Sequence, residues 1–144
     1  MRLENKVAII TGAGQGIGAA TARRFAREGA KVVLAARRLK LLEEVAADIA
    51  SSGGTALARS TDISDEDAVR GLVADTVAAF GGLDIVVNNA VLMVPGMLEN
   101  HDSKAWHKNF AVSLDGAMYL MREAYPQLAQ NLSLIHISEP TRPS

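Results

Sequence analysis

The apolar run Val7-Ala8-Ile9-Ile10 passes without a break into TGAGQGIG at 11–18, and this junction constrains the chain more than any other feature. The run reads as a strand buried on both faces, and the glycines after it demand a tight turn that opens a helix. Gly12 and Gly16 suit a turn with positive φ and a close backbone approach, while Gly18 lets the helix lie against the strand. A helix that starts there points its unpaired first-turn N–H groups, and the positive end of its dipole, at whatever fills the turn. Two readings stand side by side: a plain strand-to-helix connection, or a cradle for a phosphate-bearing dinucleotide.

The rest of the chain repeats a strand–helix rhythm. A helix over 17–28 is closed by Gly29, and Val32-Val33-Leu34 forms a second strand. A second helix over 39–50 carries Leu42, Val45, Ala46 and Ile49 at helical spacing and ends at Gly53-Gly54. A short third strand around 56–58 leads to Asp62. Ser64 with Asp67 three residues on resembles a capping box for a helix over 65–80, which Gly81-Gly82 closes. Residues 83–87 make a fourth strand before Asn88-Asn89, 94–99 a loop, and a long helix starts at Asp102 or Ser103 and runs to about 128. Such alternation predicts a Rossmann-like, doubly wound parallel α/β sheet of order 3-2-1-4, with its ligand crevice where strands 1 and 4 diverge.

These motifs resemble those of the short-chain dehydrogenase/reductase family over roughly residues 3–130, its N-terminal cofactor-binding half. TGAGQGIG is similar to that family's TGxxxGxG, Asp62-Ile63 stands where its adenine-binding Asp does, and Asn88-Asn89-Ala90 is similar to its NNAG. Residues 106–120 look like its fourth-helix signature. The resemblance implies hydride transfer between a nicotinamide and a small carbonyl or alcohol substrate, with Asn, Ser, Tyr and Lys as the catalytic set. It implies cofactor contacts at Gly12, Gln15, Gly16, Ile17, Gly18, Arg37, Arg38, Asp62, Ile63, Asn89 and Ala90. Asp62 is equally readable as a turn or cap residue; Asn88 and Asn89 suit bracing the fourth strand and contacting the ribose, with side-chain bonds to backbone in a turn as the competing reading. A homo-oligomeric parent is implied as well.

Cofactor choice is argued at the end of the second strand. An NAD enzyme places an acid there to bond the ribose hydroxyls, whereas this chain has Ala36 followed by Arg37-Arg38. A guanidinium suits a 2′-phosphate, so NADP is expected over NAD. The competing reading makes both arginines solvated residues ahead of a helix.

Two departures touch the implied chemistry. Val91 stands where the family has Gly after NNA, which crowds the backbone near the nicotinamide ribose. Ser113 opens Ser113-Leu114-Asp115-Gly116 where the family has Asn-Val-x-Gly, so it occupies the catalytic Asn position with a shorter side chain. The bland alternative is a helical serine bonding back to its own turn. Neither tyrosine is followed by Lys at the fourth position, since Tyr119 precedes Glu123 and Tyr125 precedes Ala129. The chain is therefore expected to be a fragment, either the front half of an oxidoreductase or a catalytically inactive nucleotide-binding module.

The last segment, LSLIHISEPTRPS at 132–144, departs from the family pattern. Codons for Leu132 through Arg142 match a common transposase-based sequencing adapter, so a native half-domain over 1–131 with a non-native tail is expected. The rival reading is a short fifth strand at 134–137 beside strand 4. Without further strands, the fourth becomes an edge and the helix face around Phe110, Leu114 and Met121 is bared, which favours aggregation.

Composition excludes more than it selects. A net charge of −1 with interspersed Lys and Arg offers no basic stripe for nucleic acid, and no cysteine is present for disulfides or thiol chemistry. His101 and His107 have no metal-ligand spacing around them, so no metal site is expected. The start lacks a signal-peptide pattern and no apolar run suits a membrane span, which makes cytoplasm the expected location.

Overall fold

The computed structural model describes residues 1–138. Four parallel strands, β1 (Val7–Thr11), β2 (Lys31–Ala36), β3 (Thr55–Ser60) and β4 (Ile85–Val87), form one sheet of order β3-β2-β1-β4. Ile9 stands level with Val33 on one side and Val86 on the other. This is the Rossmann-like α/β arrangement expected from the strand–helix rhythm.

Alternation along the strands divides the core into two layers. Ala8, Ile10, Val32 and Leu34 face α1 (Gly16–Arg27) and α2 (Leu39–Ser51), meeting Ala19, Ala22, Leu42, Val45 and Ile49. Val7, Ile9, Val33 and Ala35 face the other way, against Val69, Leu72 and Val73 of α3 (Glu66–Phe80) and Leu120 and Ala124 of α5 (Gly116–Ser138). Every residue of β1 is buried, as a strand covered on both faces requires.

Four expectations are corrected. The cap of α3 is Asp65, whose carboxylate accepts from the N–H groups of Asp67 and Ala68, whereas the Ser64 hydroxyl donates to Asp62 at 2.7 Å. β4 starts at Ile85 because Asp84 bonds the Val7 backbone instead, its N–H to the carbonyl and its carboxylate to the N–H. The long helix is broken: α4 (Ser103–Phe110), capped by Asp102, passes through a π-helical segment (Ala111–Asp115) into α5. Residues 134–137 continue α5 and form no fifth strand. Extending an existing helix adds one hydrogen bond per residue without a new nucleus, whereas β4 offers an edge only three residues long. Of the expected tail, residues 139–144 lie outside the described residues. Among the described residues, no helix is long and apolar enough to cross a membrane.

Candidate functional site

At the carboxyl ends of the strands, β1 and β4 are locked together by one hydroxyl. Thr11 Oγ1 accepts from the N–H groups of Asn89 (3.0 Å) and Ala90 (2.9 Å) and donates to the Val87 carbonyl (3.4 Å). Asn89 reaches back across the same gap. Its side-chain amide donates to the carbonyls of Thr11 (3.2 Å) and Gly12 (3.3 Å), so it braces the glycine turn. The Asn89 side chain thus bonds the backbone of the glycine turn, and the residue also lines the cavity in front of it.

The turn is as tight as its glycines suggest. Gly12 holds φ at +63°, and a Cβ on Gly18 would sit 2.2 Å from the Gly12 carbonyl oxygen and 2.7 Å from the Asn89 amide nitrogen. No side chain larger than hydrogen fits there. The N-cap of α1, Gln15, makes no side-chain bond to the helix, and its first turn carries no acidic residue. The start of α1 thus keeps its positive field uncompensated by local side chains.

In front of this turn lies a cavity of about 490 Å³. It gathers Gly12, Gln15, Arg37, Arg38, Asp62, Ile63, Asn89 and Ala90 from the ends of all four strands. Gly16, Ile17 and Gly18 do not line it. Gly16 turns the chain with φ at +56°, Ile17 is 78 % exposed, and Gly18 is buried beneath the turn. The wall also includes residues that the motif reading did not single out as contacts, among them Thr11, Gly14, Leu41, Thr61 and Val112. Thr11 and Gly14 carried a local signal, as members of the glycine motif. Leu41 enters from the first turn of α2, Thr61 from the exit of β3 and Val112 from the π-helical segment, which sequence spacing does not reveal.

Charge is distributed unevenly around the cavity. Arg37 and Arg38 follow β2 with no carboxylate at Ala36, and the Ser60 hydroxyl donates to the Arg37 carbonyl at 2.9 Å. Asp62, in the segment after the neighbouring strand β3, is the acid of the lining. The Ser64 hydroxyl and N–H donate to its carboxylate and, with Arg37 and Lys108 nearby, hold it below the usual Asp range. Val91 lines the cavity where the family pattern has Gly, adding its side chain to that wall.

Ser113 ties the π-helical segment to the loop after β4. It lies outside the cavity wall, and its hydroxyl accepts from the Leu92 N–H (3.1 Å) and donates to the Leu92 carbonyl (3.2 Å). The serine thus bonds the loop after β4 and not its own turn. The π-helical segment that carries it widens the helix locally, as such insertions do at many functional sites.

Comparison with known proteins agrees with this geometry. The model of the short chain dehydrogenase family matches residues 6–138. The chain is 40% identical over 139 residues to 2,5-dichloro-2,5-cyclohexadiene-1,4-diol dehydrogenase LinX of Sphingobium indicum, covering 95% of this chain and 56% of that protein. Meso-2,3-butanediol dehydrogenase of Serratia marcescens is 37% identical over 135 residues, covering 94% and 53% respectively. Among solved structures, a metagenomic short-chain oxidoreductase in complex with NADP superimposes with a TM-score of 0.86 at 36% identity, over 91% of this chain and 60% of that one. The chain therefore spans about half the length of the curated relatives it matches. With the glycine turn, the sheet order and the family match in agreement, the chain belongs to the short-chain dehydrogenase family.

Proposed function

We propose that this chain binds NADP(H), in preference to NAD(H), in the crevice at the ends of β1 to β4. It forms the cofactor-holding half of an oxidoreductase acting on a small carbonyl or alcohol substrate. The observation that carries the reading is the cavity wall after β2, where Arg37 and Arg38 stand and no acid does. A carboxylate there would bond ribose hydroxyls and repel a 2′-phosphate, whereas a guanidinium fork receives it. A hydrogen bond to a charged group contributes roughly 1.5–3 kcal/mol, which corresponds to about a tenfold to hundredfold preference. Similarity to an oxidoreductase solved with NADP supports the same choice.

The residues present suit that cofactor. The Gly12–Gly18 turn and the uncapped start of α1 would take the pyrophosphate, Asp62 and Ile63 the adenine, and Ala90 and Val91 the nicotinamide side. When bound, the dinucleotide supplies or accepts the hydride; the chain's own part is to hold it and keep the turn rigid. Dissociation constants for NADPH and NADH on wild type and Arg37→Ala test this reading. Wild type is expected to favour NADPH, and Arg37→Ala to lose most of that preference; an unchanged ratio would remove Arg37 from the site.

None of these 144 residues forms a Tyr-x-x-x-Lys motif. That observation favours a second reading of the chain by itself, a nucleotide-binding module without turnover, with catalysis belonging to the longer parent. A single cooperative melt that rises with NADPH is expected if the module folds and binds, and a broad, ligand-blind transition would count against it. A cytoplasmic, homo-oligomeric parent is part of the same proposal, its oligomeric part supported by the exposed Trp106, Phe110, Leu114 and Met121 along α4, the π-helical segment and α5.

A further inference from the structure

The loop that follows Asn88-Asn89-Ala90 is held in an unusual way. Residues 91–97 form no helix and belong to no sheet. Leu92 and Val94 are partly buried, whereas Val91 and Met93 are exposed, the alternation of a strand. The backbone groups of the two inward residues are met by side chains of α4 and the π-helical segment. Ser113 takes both the N–H and the carbonyl of Leu92, and Asn109 Oδ1 accepts from the Val94 N–H at 2.9 Å. Two helical side chains thus do for this segment what a neighbouring strand would do.

We infer that Asn109 is a positioning residue for the nicotinamide half of the dinucleotide, an inference that rests on the NADP-binding reading above. All five of Val91, Leu92, Arg37, Arg38 and Asp62 line the cavity, Val91 and Leu92 in the segment after β4 and Arg37, Arg38 and Asp62 in those after β2 and β3, on opposite sides of β1 in the sheet order. Ser113 is short and grips the loop at Leu92 alone, so the next inward residue depends on Asn109. Losing that bond frees the loop on the Val91 side while leaving the arginine side untouched. The role needs only an acceptor, because the donor is a backbone N–H. Asp at this position keeps the bond and Ala does not.

The test is calorimetric titration with two ligands, NADPH and 2′,5′-ADP, the latter carrying the adenine end and its 2′-phosphate without the nicotinamide. Asn109→Ala is expected to weaken NADPH about tenfold, the equivalent of one net hydrogen bond, with 2′,5′-ADP affinity unchanged. Asn109→Asp is expected to restore NADPH binding. Equal losses for both ligands would show a merely structural side chain, and unchanged NADPH affinity would show no role; either overturns the inference. Wild type that binds neither ligand would sink the NADP reading and the inference with it. Wild type that binds both, with the variants showing no split, sinks the inference alone. Should Asn109→Ala not fold, amide exchange on wild type decides: NADPH is expected to slow exchange at Leu92 and Val94 while 2′,5′-ADP does not, and equal protection by both contradicts the role.

Discussion

Two helices of this chain begin at the same edge of the sheet and solve the same problem in opposite ways. The start of α3 is self-sufficient: Asp65 accepts from two first-turn N–H groups, and Glu66 and Asp67 add negative charge where the dipole favours it. The start of α1 has no side-chain cap and no acid in its first turn, and it is pressed against the sheet by glycines. One end is arranged for stability and needs no ligand. The other lacks such compensation and leaves room for an anion from outside, as the proposed pyrophosphate contact requires.

Substitutions at the two helix starts should separate accordingly. The largest effect is expected from Gly18→Val, because even its Cβ collides with the Gly12 carbonyl. Overpacking of this kind costs about 1–3 kcal/mol or more, and NADPH binding should vanish with it. Thermal melts and titration together check both parts; a stable variant that still binds would break the contrast. Thr11→Val comes next, since it strands the N–H groups of Asn89 and Ala90 without their acceptor. A fully buried unpaired amide costs about 1–3 kcal/mol and these are part-buried, so denaturant unfolding should register a loss below that full penalty for each.

Asp65→Ala sharpens the comparison from the other side. Removing the cap of α3 should cost about 1 kcal/mol in denaturant unfolding and leave NADPH affinity where it was. A matching fall in affinity would mean the two helix starts are not independent. The smallest effect concerns pH. Asp62 has a folded pKa below its ordinary value of 3.8, chiefly through the Ser64 hydroxyl. Its contribution to stability is therefore complete above that ordinary value and is lost as pH falls through the lower, folded one. Ser64→Ala should shift the acid limb of a stability–pH profile slightly upward, and an unmoved limb would show that the bond is inconsequential.

Where the sequence was legible, the physics was local. Strand alternation and helical spacing are set within a few residues, so the sheet order and all four strands were readable, as was the glycine turn. What escaped depends on partners far along the chain. Leu83 and Asp84 look like strand residues, yet Asp84 is claimed by the Val7 backbone 77 positions away. Ser64 fits a capping pattern, but the neighbouring Asp65 is the better acceptor and Asp62 captures the serine hydroxyl. Ser113 fits, by spacing, a catalytic stand-in or an idle helical serine, and only the folded loop shows its bonds to Leu92. Thr11 belongs to a readable motif, but its double acceptance from Asn89 and Ala90 just after β4 could not be inferred from spacing.

The most direct measurement is an amide chemical-shift titration of the wild-type chain with NADPH. Large shifts are expected at the Gly12–Gly18 amides with none at Glu66 and Asp67, as befits one open helix start and one closed. Shifts absent from the glycine turn, or appearing equally at the start of α3, would contradict the assignment of α1 as the phosphate-holding end.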